Sequence, residues 1–322
     1  MRVVLTGATT PLGRRVVQRL LSLTPRPELV LLVRPEERDT WRGTMPDAKL
    51  VIADLVTPEL YGPALAGATV CLHLADLSQA EDPRLLEVNL KGTQSLLHAF
   101  GAYAQAERFV LLSTALLDQP APDDPDVGPE RFGSMWLATR AGAEARTIHW
   151  ARRLGVETVI VRAGHPYGAS GIEGPLSGWL DAAAASAESD GRLSVEGAEL
   201  PLPFVHIDAL AEALTQRALG ELLPGERRLV GSVSRADAVG LVTTLAAVHD
   251  RLCQSTERQP QRERPRPRLR RLLAYVSRSE SLPVVPSFLR RPVVRAANPA
   301  WVTRFGAADV GGLVDALVGG AC

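Results

Sequence analysis

Short apolar runs alternate with longer segments of helical spacing along the first half of the chain. Continuous apolar runs are typical of strands that are buried on both faces. They predict strands at Arg2–Leu5, Leu29–Val33, Leu50–Ile52, Thr69–Leu74, Phe109–Ser113 and Val156–Val161. Apolar residues between these runs recur at helical spacing and predict helices over Leu12–Leu23, Pro83–Tyr103 and Leu137–Leu154. Strands that alternate with helices, joined by right-handed crossovers, predict an α/β fold with a doubly wound parallel sheet, that is, a Rossmann fold.

The pattern loosens after about residue 165. A stretch rich in Gly, Ala and Ser runs from Pro166 to Pro201, and a strand at Phe204–His206 and a helix at Ala209–Ala218 follow. We therefore predict a dinucleotide-binding domain over residues 1–165, to which segments of the second half return, and a smaller α/β substrate-binding region over residues 166–322.

An arginine-rich stretch, Arg258–Arg271, lies in the second half and holds seven arginines and one glutamate. One interpretation is a solvated loop. The other joins it to the apolar residues of Leu269–Val276, as a basic amphipathic patch in weak contact with a membrane surface or an anionic substrate.

Charge and cysteine content narrow the function classes. The 36 basic and 36 acidic residues balance, which argues against a general attraction to nucleic acid. The three cysteines are widely spaced and lack the pairing typical of a zinc site, so we expect no metal. The chain shows no signal-peptide pattern and no apolar run long enough for a transmembrane segment, which predicts a soluble cytoplasmic protein.

The first predicted strand leads directly into a glycine turn, TGATTPLG over residues 6–13, where a helix begins. A dinucleotide pyrophosphate needs a tight turn, close backbone approach and a helix N-terminus aimed at it. The middle position is Thr10, whose side chain narrows the approach while its hydroxyl offers a bond to a phosphate oxygen. The alternative is a plain turn. We predict that the cofactor contacts Gly7, Thr9, Thr10, Pro11, Leu12 and Gly13.

Arg34 stands at the end of the second predicted strand, twenty-one residues after Gly13. In NAD-selective sites an acid at this place grips the ribose hydroxyls, whereas a guanidinium attracts a 2′-phosphate. Arg34 therefore favours NADP, with NAD as the alternative cofactor and a plain surface cation as the competing interpretation.

Further motifs follow the glycine turn in a fixed order: Asp54-Leu55, His73–Asp76, Asn89–Thr93, Arg162–Gly168 and Phe204–Asp208. With them the chain resembles the extended short-chain dehydrogenases/reductases of the NAD-dependent epimerase/dehydratase and 3β-hydroxysteroid dehydrogenase-like group. The resemblance implies the Rossmann fold and a homodimer formed through a helix pair that includes Leu137–Leu154. It also implies that the cofactor contacts Asp54, Leu55, Leu74, Ala75, Asn89 and Arg140.

The catalytic motif of that family is incomplete in this chain. The resemblance implies a hydroxyl residue, here Thr114, followed by Tyr-x-x-x-Lys, but Trp136 and Arg140 occupy the Tyr and Lys positions. An indole N–H donates a hydrogen bond but does not exchange protons near neutral pH. Because Arg140 has no phenol to activate, we expect ordinary alcohol–ketone interconversion to be impaired.

We therefore predict an NAD(P)H-dependent reductase that transfers hydride to an electrophilic, aromatic or lipophilic small metabolite. Thr114, His165 and Tyr167 are the candidate orienting or protonating residues, with His165 as the substitute acid. The face of Trp136 suits a flat apolar substrate by stacking. Two alternatives remain: an isomerase or dehydratase that retains its cofactor, and a catalytically silent NADP-binding protein.

Overall fold

The structure is a computed structural model that describes residues 1–40, 47–78, 82–117, 135–168, 171–172, 201–202, 204–220, 228–235, 239–240 and 301–305. The basic stretch Arg258–Arg271 and the neighbouring Leu269–Val276 lie outside the described residues. Among the described helices, none combines the length and hydropathy that a bilayer crossing requires.

Eight of the described strands form one sheet in the order β3-β2-β1-β4-β5-β6-β11-β13, and each neighbouring pair is parallel. The order reverses direction between β1 and β4, which is where the sheets of this architecture bind ligands at their carboxyl edge. The strands are β1 (Arg2–Thr6), β2 (Glu28–Val33), β3 (Ala48–Ile52), β4 (Val70–His73), β5 (Arg108–Thr114), β6 (Glu157–Ala163), β11 (Arg228–Arg235) and β13 (Trp301–Phe305).

Shorter strands form two small sheets beside the main one. One has the order β10-β7-β8 and the other pairs β9 with β12. These strands are β7 (His165–Gly168), β8 (Gly171–Ile172), β9 (Pro201–Leu202), β10 (Phe204–His206) and β12 (Val239–Gly240). The α-helices are α1 (Pro11–Leu21), α2 (Pro58–Tyr61), α3 (Thr93–Tyr103), α4 (Met135–Leu154) and α5 (Ile207–Leu219). Single 3₁₀ turns cover Pro35–Thr40, Gly62–Leu65 and Ala115–Leu117.

Helices cover both faces of the main sheet, so the doubly wound parallel fold is confirmed. Successive β1 residues alternate between two apolar cores, because strand side chains point to opposite faces. Val3 and Leu5 pack in a core with residues of α1 and α5, and Val4 packs in the other, which contains Leu97 of α3 and Ala151 of α4.

The six strands predicted in the first half are present with ends that differ by one or two residues. The helix predicted over Pro83–Tyr103 is present, but its first part, Leu86–Gly92, is a wider π-helical segment that leads directly into α3. At the junction, Thr93 Oγ1 donates to the Asn89 carbonyl at 2.6 Å. Such wider turns are frequent at functional sites. The strand β7 was not predicted, since its sequence His-Pro-Tyr-Gly lacks an apolar run.

Candidate active site

The glycine turn between β1 and α1 is as tight as its sequence predicts. Gly7 has a φ of 72°, in the left-handed region that glycine adopts without strain, and a Cβ there would lie 2.7 Å from the Ala75 amide nitrogen. A Cβ on Gly13 would overlap the Gly7 carbonyl oxygen and lie 2.8 Å from Ala8 Cα. Both positions therefore require glycine, and the first turn of α1 is held against the end of β1.

Thr10 is the N-cap of α1 and its hydroxyl is used within the turn. Its Oγ1 accepts from the Gly13 amide at 3.0 Å and donates to the Gly7 carbonyl at 3.0 Å. This pattern does not support the expected donation from the Thr10 hydroxyl to a phosphate. Thr10 instead stabilises the turn, and the amides at the start of α1 remain the groups suited to an anion.

Arg34 lies among two carboxylates, and we call Arg34, Glu36 and Glu37 the ribose cluster. Arg34 Nη2 lies 2.6 Å from Glu37 Oε1, and Nη1 lies 3.2 Å from Glu36 Oε1. Glu37 also accepts from the Arg34 amide at 3.2 Å. Burial opposes ionisation of Glu37, but the hydrogen bonds and charge of Arg34 outweigh it and lower the pKa of Glu37. The cluster thus carries one net negative charge, and the Arg34 guanidinium already has partners.

Two clefts lie along the carboxyl edge of the sheet. We call them, after the parts that the sequence predicts for them, the adenosine cleft and the reactive cleft. They share Thr10 and Asp76 and therefore adjoin, and we call the two together the groove. The adenosine cleft contains the ribose cluster and is also lined by Thr6, Gly7, Thr9, Leu32, Pro35, Ala53, Asp54, Leu55, Ala75, Leu77, Arg84 and Val88. The reactive cleft is also lined by Leu12, Leu74, Ser78, Leu112, Ser113, Thr114, Trp136, Arg140, Ala163, Gly164, His165 and Pro166.

Two hydroxyl residues at the end of β5 face the reactive cleft. Thr114 Oγ1 accepts from the Leu116 amide at 3.2 Å, which fixes the side chain and leaves its hydroxyl proton for a ligand. The Ser113 side chain is buried, and its Oγ has no hydrogen-bond partner among the described residues. A buried hydroxyl without a partner is costly. Because the Ser113 Oγ is inaccessible, Thr114 is the hydroxyl of this pair that the cleft offers to a bound molecule.

Trp136 and Arg140, one turn apart on α4, both contact Asp76 at the end of β4. Trp136 Nε1 donates to Asp76 Oδ2 at 2.9 Å, and Arg140 Nη1 lies 3.4 Å from Asp76 Oδ1. Arg140 also donates to the Leu112 carbonyl. Burial raises the pKa of Asp76, against the opposing effects of the Arg140 charge and the Trp136 hydrogen bond. The Asp76 carboxyl group thus lies beside Trp136, the residue that occupies the Tyr position.

Trp136 itself is only 4% exposed, so little of its ring is open to the cleft. This limits the stacking surface that the sequence led us to expect. The indole instead closes one wall and orients the Asp76 carboxylate.

The surroundings of His165 and Tyr167 do not suit either residue to supply the proton. His165 lines the reactive cleft, but burial lowers its pKa to about 4, so the imidazole is neutral near neutral pH and is not an acid there. Tyr167 is buried against His206 with ring centroids 5.2 Å apart and lines neither cleft.

Asn89 lies behind the groove and shapes it. Its side chain accepts from the Leu77 amide at 2.8 Å and donates to the Leu77 carbonyl at 2.9 Å, which fixes the segment that follows Asp76. His73 is also behind the groove, between the hydroxyls of Thr6 at 2.7 Å and Thr93 at 2.8 Å.

The structure brings most of the predicted residues to the groove. Gly7, Thr9, Thr10, Leu12, Arg34, Asp54, Leu55, Leu74, Ala75, Thr114, Arg140 and His165 line it. Gly13 packs against the glycine turn, Asn89 holds the segment after Asp76, and Pro11 begins α1. Sequence reasoning missed the roles of Asp76, Glu37 and Ser113. An acid three residues after a buried parallel strand was the available signal for Asp76, because such a position lies near the carboxyl edge of the sheet.

Comparison with known proteins identifies the family of the chain. The model of the NAD dependent epimerase/dehydratase family matches residues 3–221. A trifunctional UDP-glucose 4,6-dehydratase/UDP-4-keto-6-deoxy-D-glucose 3,5-epimerase/UDP-4-keto-L-rhamnose-reductase of Arabidopsis thaliana is 25% identical over 183 residues, which are 52% of this chain and 27% of that protein. The matched segment thus spans about a quarter of that relative's length.

Solved structures show the same fold. The UDP-glucuronic acid 4-epimerase of Bacillus cereus, in complex with UDP-4-deoxy-4-fluoro-glucuronic acid and NAD, has a TM-score of 0.64 at 15% identity. The match covers 100% of this chain and 98% of the epimerase chain. The dTDP-glucose 4,6-dehydratase DesIV of Streptomyces venezuelae, with NAD bound, has a TM-score of 0.56 at 20% identity, covering 76% of this chain and 81% of its own.

Proposed function

The chain belongs to the NAD dependent epimerase/dehydratase family, and on that premise we propose that it is an NAD(H)-dependent reductase of a small electrophilic metabolite. The observation that carries the proposal is the groove of two adjoining clefts at the carboxyl edge of the sheet. One cleft has the glycine turn and an acid-containing cluster, and the other has the Thr114 hydroxyl and a carboxyl group among apolar walls.

The residues present fit a dinucleotide. The turn at Gly7 and Gly13 and the amides at the start of α1 would hold the pyrophosphate, since they combine close backbone approach with the positive end of a helix dipole. Asp54 and Leu55 would hold the adenosine, and Arg140 would hold the ribose in the reactive cleft. A bound nicotinamide supplies or accepts the hydride.

The ribose cluster supports NAD(H) over NADP(H). Arg34 was the basis for expecting NADP, but Glu36 and Glu37 neutralise its guanidinium and leave one net negative charge beside the adenosine cleft. A 2′-phosphate there would meet like charge. Glu37, which is mostly buried and ionised, takes the part of the acid that binds ribose hydroxyls in NAD sites.

The walls of the reactive cleft support a partly apolar substrate. Leu12, Leu112 and Pro166 contribute aliphatic surface, and Thr114 offers a hydroxyl donor to a carbonyl oxygen. Donors preset around a developing oxyanion are among the largest contributors to catalysis. Such a site would accept an aldehyde, ketone or quinone-like acceptor. The nucleotide sugars named for structural neighbours are a second substrate class, favoured by the shared fold.

The test combines binding and turnover. Calorimetry with NAD, NADH, NADP and NADPH should show tighter binding of the NAD(H) pair. Loss of NADH absorbance is then followed with a panel of quinones, aldehydes, ketones and oxidised nucleotide sugars. Thr114→Ala should lower kcat by about 100-fold, as expected for loss of one oxyanion donor. Thr69→Ala, which precedes β4 at the opposite edge of the sheet, is the matched control and should leave kcat unchanged.

Two outcomes would overturn the proposal. NADH binding without consumption across the whole panel would instead support a nucleotide-binding protein without reductase activity. Tighter binding of NADPH than of NADH would refute the charge argument at the ribose cluster.

A further inference from the structure

With Trp136 in the Tyr position, the reactive cleft needs another proton donor, and apart from Asp76 the described residues that line it do not supply one. Trp136 Nε1 does not exchange its proton near neutral pH, and Arg140 stays charged. His165 is neutral because of burial, with a pKa of about 4, and Tyr167 lines neither cleft. Thr114 alone is a weak acid that needs a partner.

Asp76 has the position and the contacts that such a donor requires. It lies where the two clefts join, and its side chain is 22% exposed, so it reaches a ligand while most of it is buried. Its two oxygens are held differently. Oδ2 accepts a hydrogen bond from the Trp136 indole at 2.9 Å, whereas the only contact of Oδ1 among the described residues is the 3.4 Å contact with Arg140. Oδ1 is therefore the oxygen that is less committed to the protein.

We propose that Asp76 replaces the missing tyrosine as the acid and base of the reaction, and that Trp136 and Arg140 position its carboxyl group. The proposal rests on the reductase function proposed above. In the reducing direction the acceptor carbon of a carbonyl substrate gains a hydride from bound NADH, which is oxidised to NAD. The O–H bond at Asp76 breaks as the substrate oxygen takes that proton, and an alcohol leaves. Solvent then returns a proton to the Asp76 carboxylate through the open cleft.

The electrostatics agree with this role. Burial raises the pKa of Asp76, although Arg140 and the Trp136 hydrogen bond oppose the rise, so the group holds a proton at higher pH than an exposed aspartate. Arg140 faces Asp76 directly. The other charged or titratable groups in the two clefts are His165, the ribose cluster, Asp54 and Arg84.

The first measurement needs no cofactor. The emission of Trp136 should change as Asp76 gains its proton, because the indole hydrogen bond passes from a carboxylate to a carboxylic acid. We expect a pH step in the tryptophan emission of the wild type that disappears in both Asp76→Asn and Trp136→Phe. Asp47→Asn alters an exposed aspartate paired with Arg26, and should keep the step. Persistence of the step in Asp76→Asn would overturn the assignment.

The second measurement uses NADH and the best acceptor from the panel. Asp76→Asn should lower kcat by at least about 100-fold while NADH still binds, and should remove the loss of kcat/KM that the wild type shows as pH rises through the Asp76 pKa. Asp76→Glu keeps a carboxyl group and should recover part of the rate. If Asp76→Asn keeps the turnover and the pH profile of the wild type, the role of Asp76 is refuted while the reductase function stands. Absence of turnover in the wild type would overturn the reductase function and this role together.

Discussion

Gly13→Ala tests the glycine turn, the feature that positions the cofactor half of the groove. The added methyl group would overlap the Gly7 carbonyl oxygen and lie 2.8 Å from Ala8 Cα. Both neighbours are backbone atoms, so no side-chain rotation relieves the contact and the turn itself must move.

Two opposing effects set the expected change in the free energy of unfolding. Gly13 lies within α1, where alanine is favoured over glycine by about 1 kcal/mol. Overpacking of a well-packed site costs about 1–3 kcal/mol, and backbone neighbours favour the upper end. We therefore expect a net loss of about 2 kcal/mol in the free energy of unfolding. Displacement of the turn should also weaken NADH binding by at least about 10-fold, which corresponds to about 1.4 kcal/mol.

Urea unfolding followed by far-UV circular dichroism measures the free energy of unfolding, and calorimetry measures the affinity for NADH. Gly155→Ala is the matched control, since Gly155 has a φ of 70° but nothing within 4 Å of an added Cβ. It should lose about 1–2 kcal/mol from backbone strain alone and bind NADH normally. The reasoning is wrong if Gly13→Ala is as stable as the wild type and binds NADH with unchanged affinity.

Three other predictions test charges away from the turn. Glu37→Gln removes one carboxylate from Arg34 and should raise the NADPH affinity relative to NADH by about 10-fold in calorimetry; an unchanged ratio contradicts the proposed cofactor preference. Glu144→Gln removes the charge from the 2.7 Å ion pair with Arg162, which still donates to the Leu117 carbonyl, and should cost about 2 kcal/mol in urea unfolding; a loss below about 0.5 kcal/mol would show the pair to be dispensable. Burial lowers the pKa of His73 to about 3, so the unfolded chain alone binds this proton as pH falls below the ordinary histidine value of 6.5. The contribution of His73 to the free energy of unfolding is therefore complete above pH 6.5 and is lost toward pH 3, with a slope of up to about 1.4 kcal/mol per pH unit. His73→Asn should make this decline shallower when unfolding is measured across that pH range. An equal slope in both proteins would contradict the prediction.

The sequence determined the layered fold and the glycine turn at which we propose that the cofactor binds. Continuous apolar runs such as Leu29–Val33 have no polar face, so they are stable only as strands covered on both sides. The spacing of Gly7 and Gly13 after the first strand reflects local backbone sterics, which act within a few residues and are readable without tertiary contacts. The loss of Tyr and Lys at Trp136 and Arg140 was likewise visible from the order of the motifs.

The tertiary structure decided what those residues do, because charge and proton chemistry depend on contacts between distant segments. Asp76 and Trp136 are sixty residues apart and meet only because β4 ends beside the start of α4. The cationic character of Arg34 could be read from the sequence, but its neutralisation by Glu37 follows from the way the chain turns after β2. His165 was a reasonable acid by residue type, and its burial beneath the reactive cleft is what keeps it neutral. Residue identity thus specified the scaffold, whereas burial and cross-chain pairing specified which groups in it can carry charge or a proton.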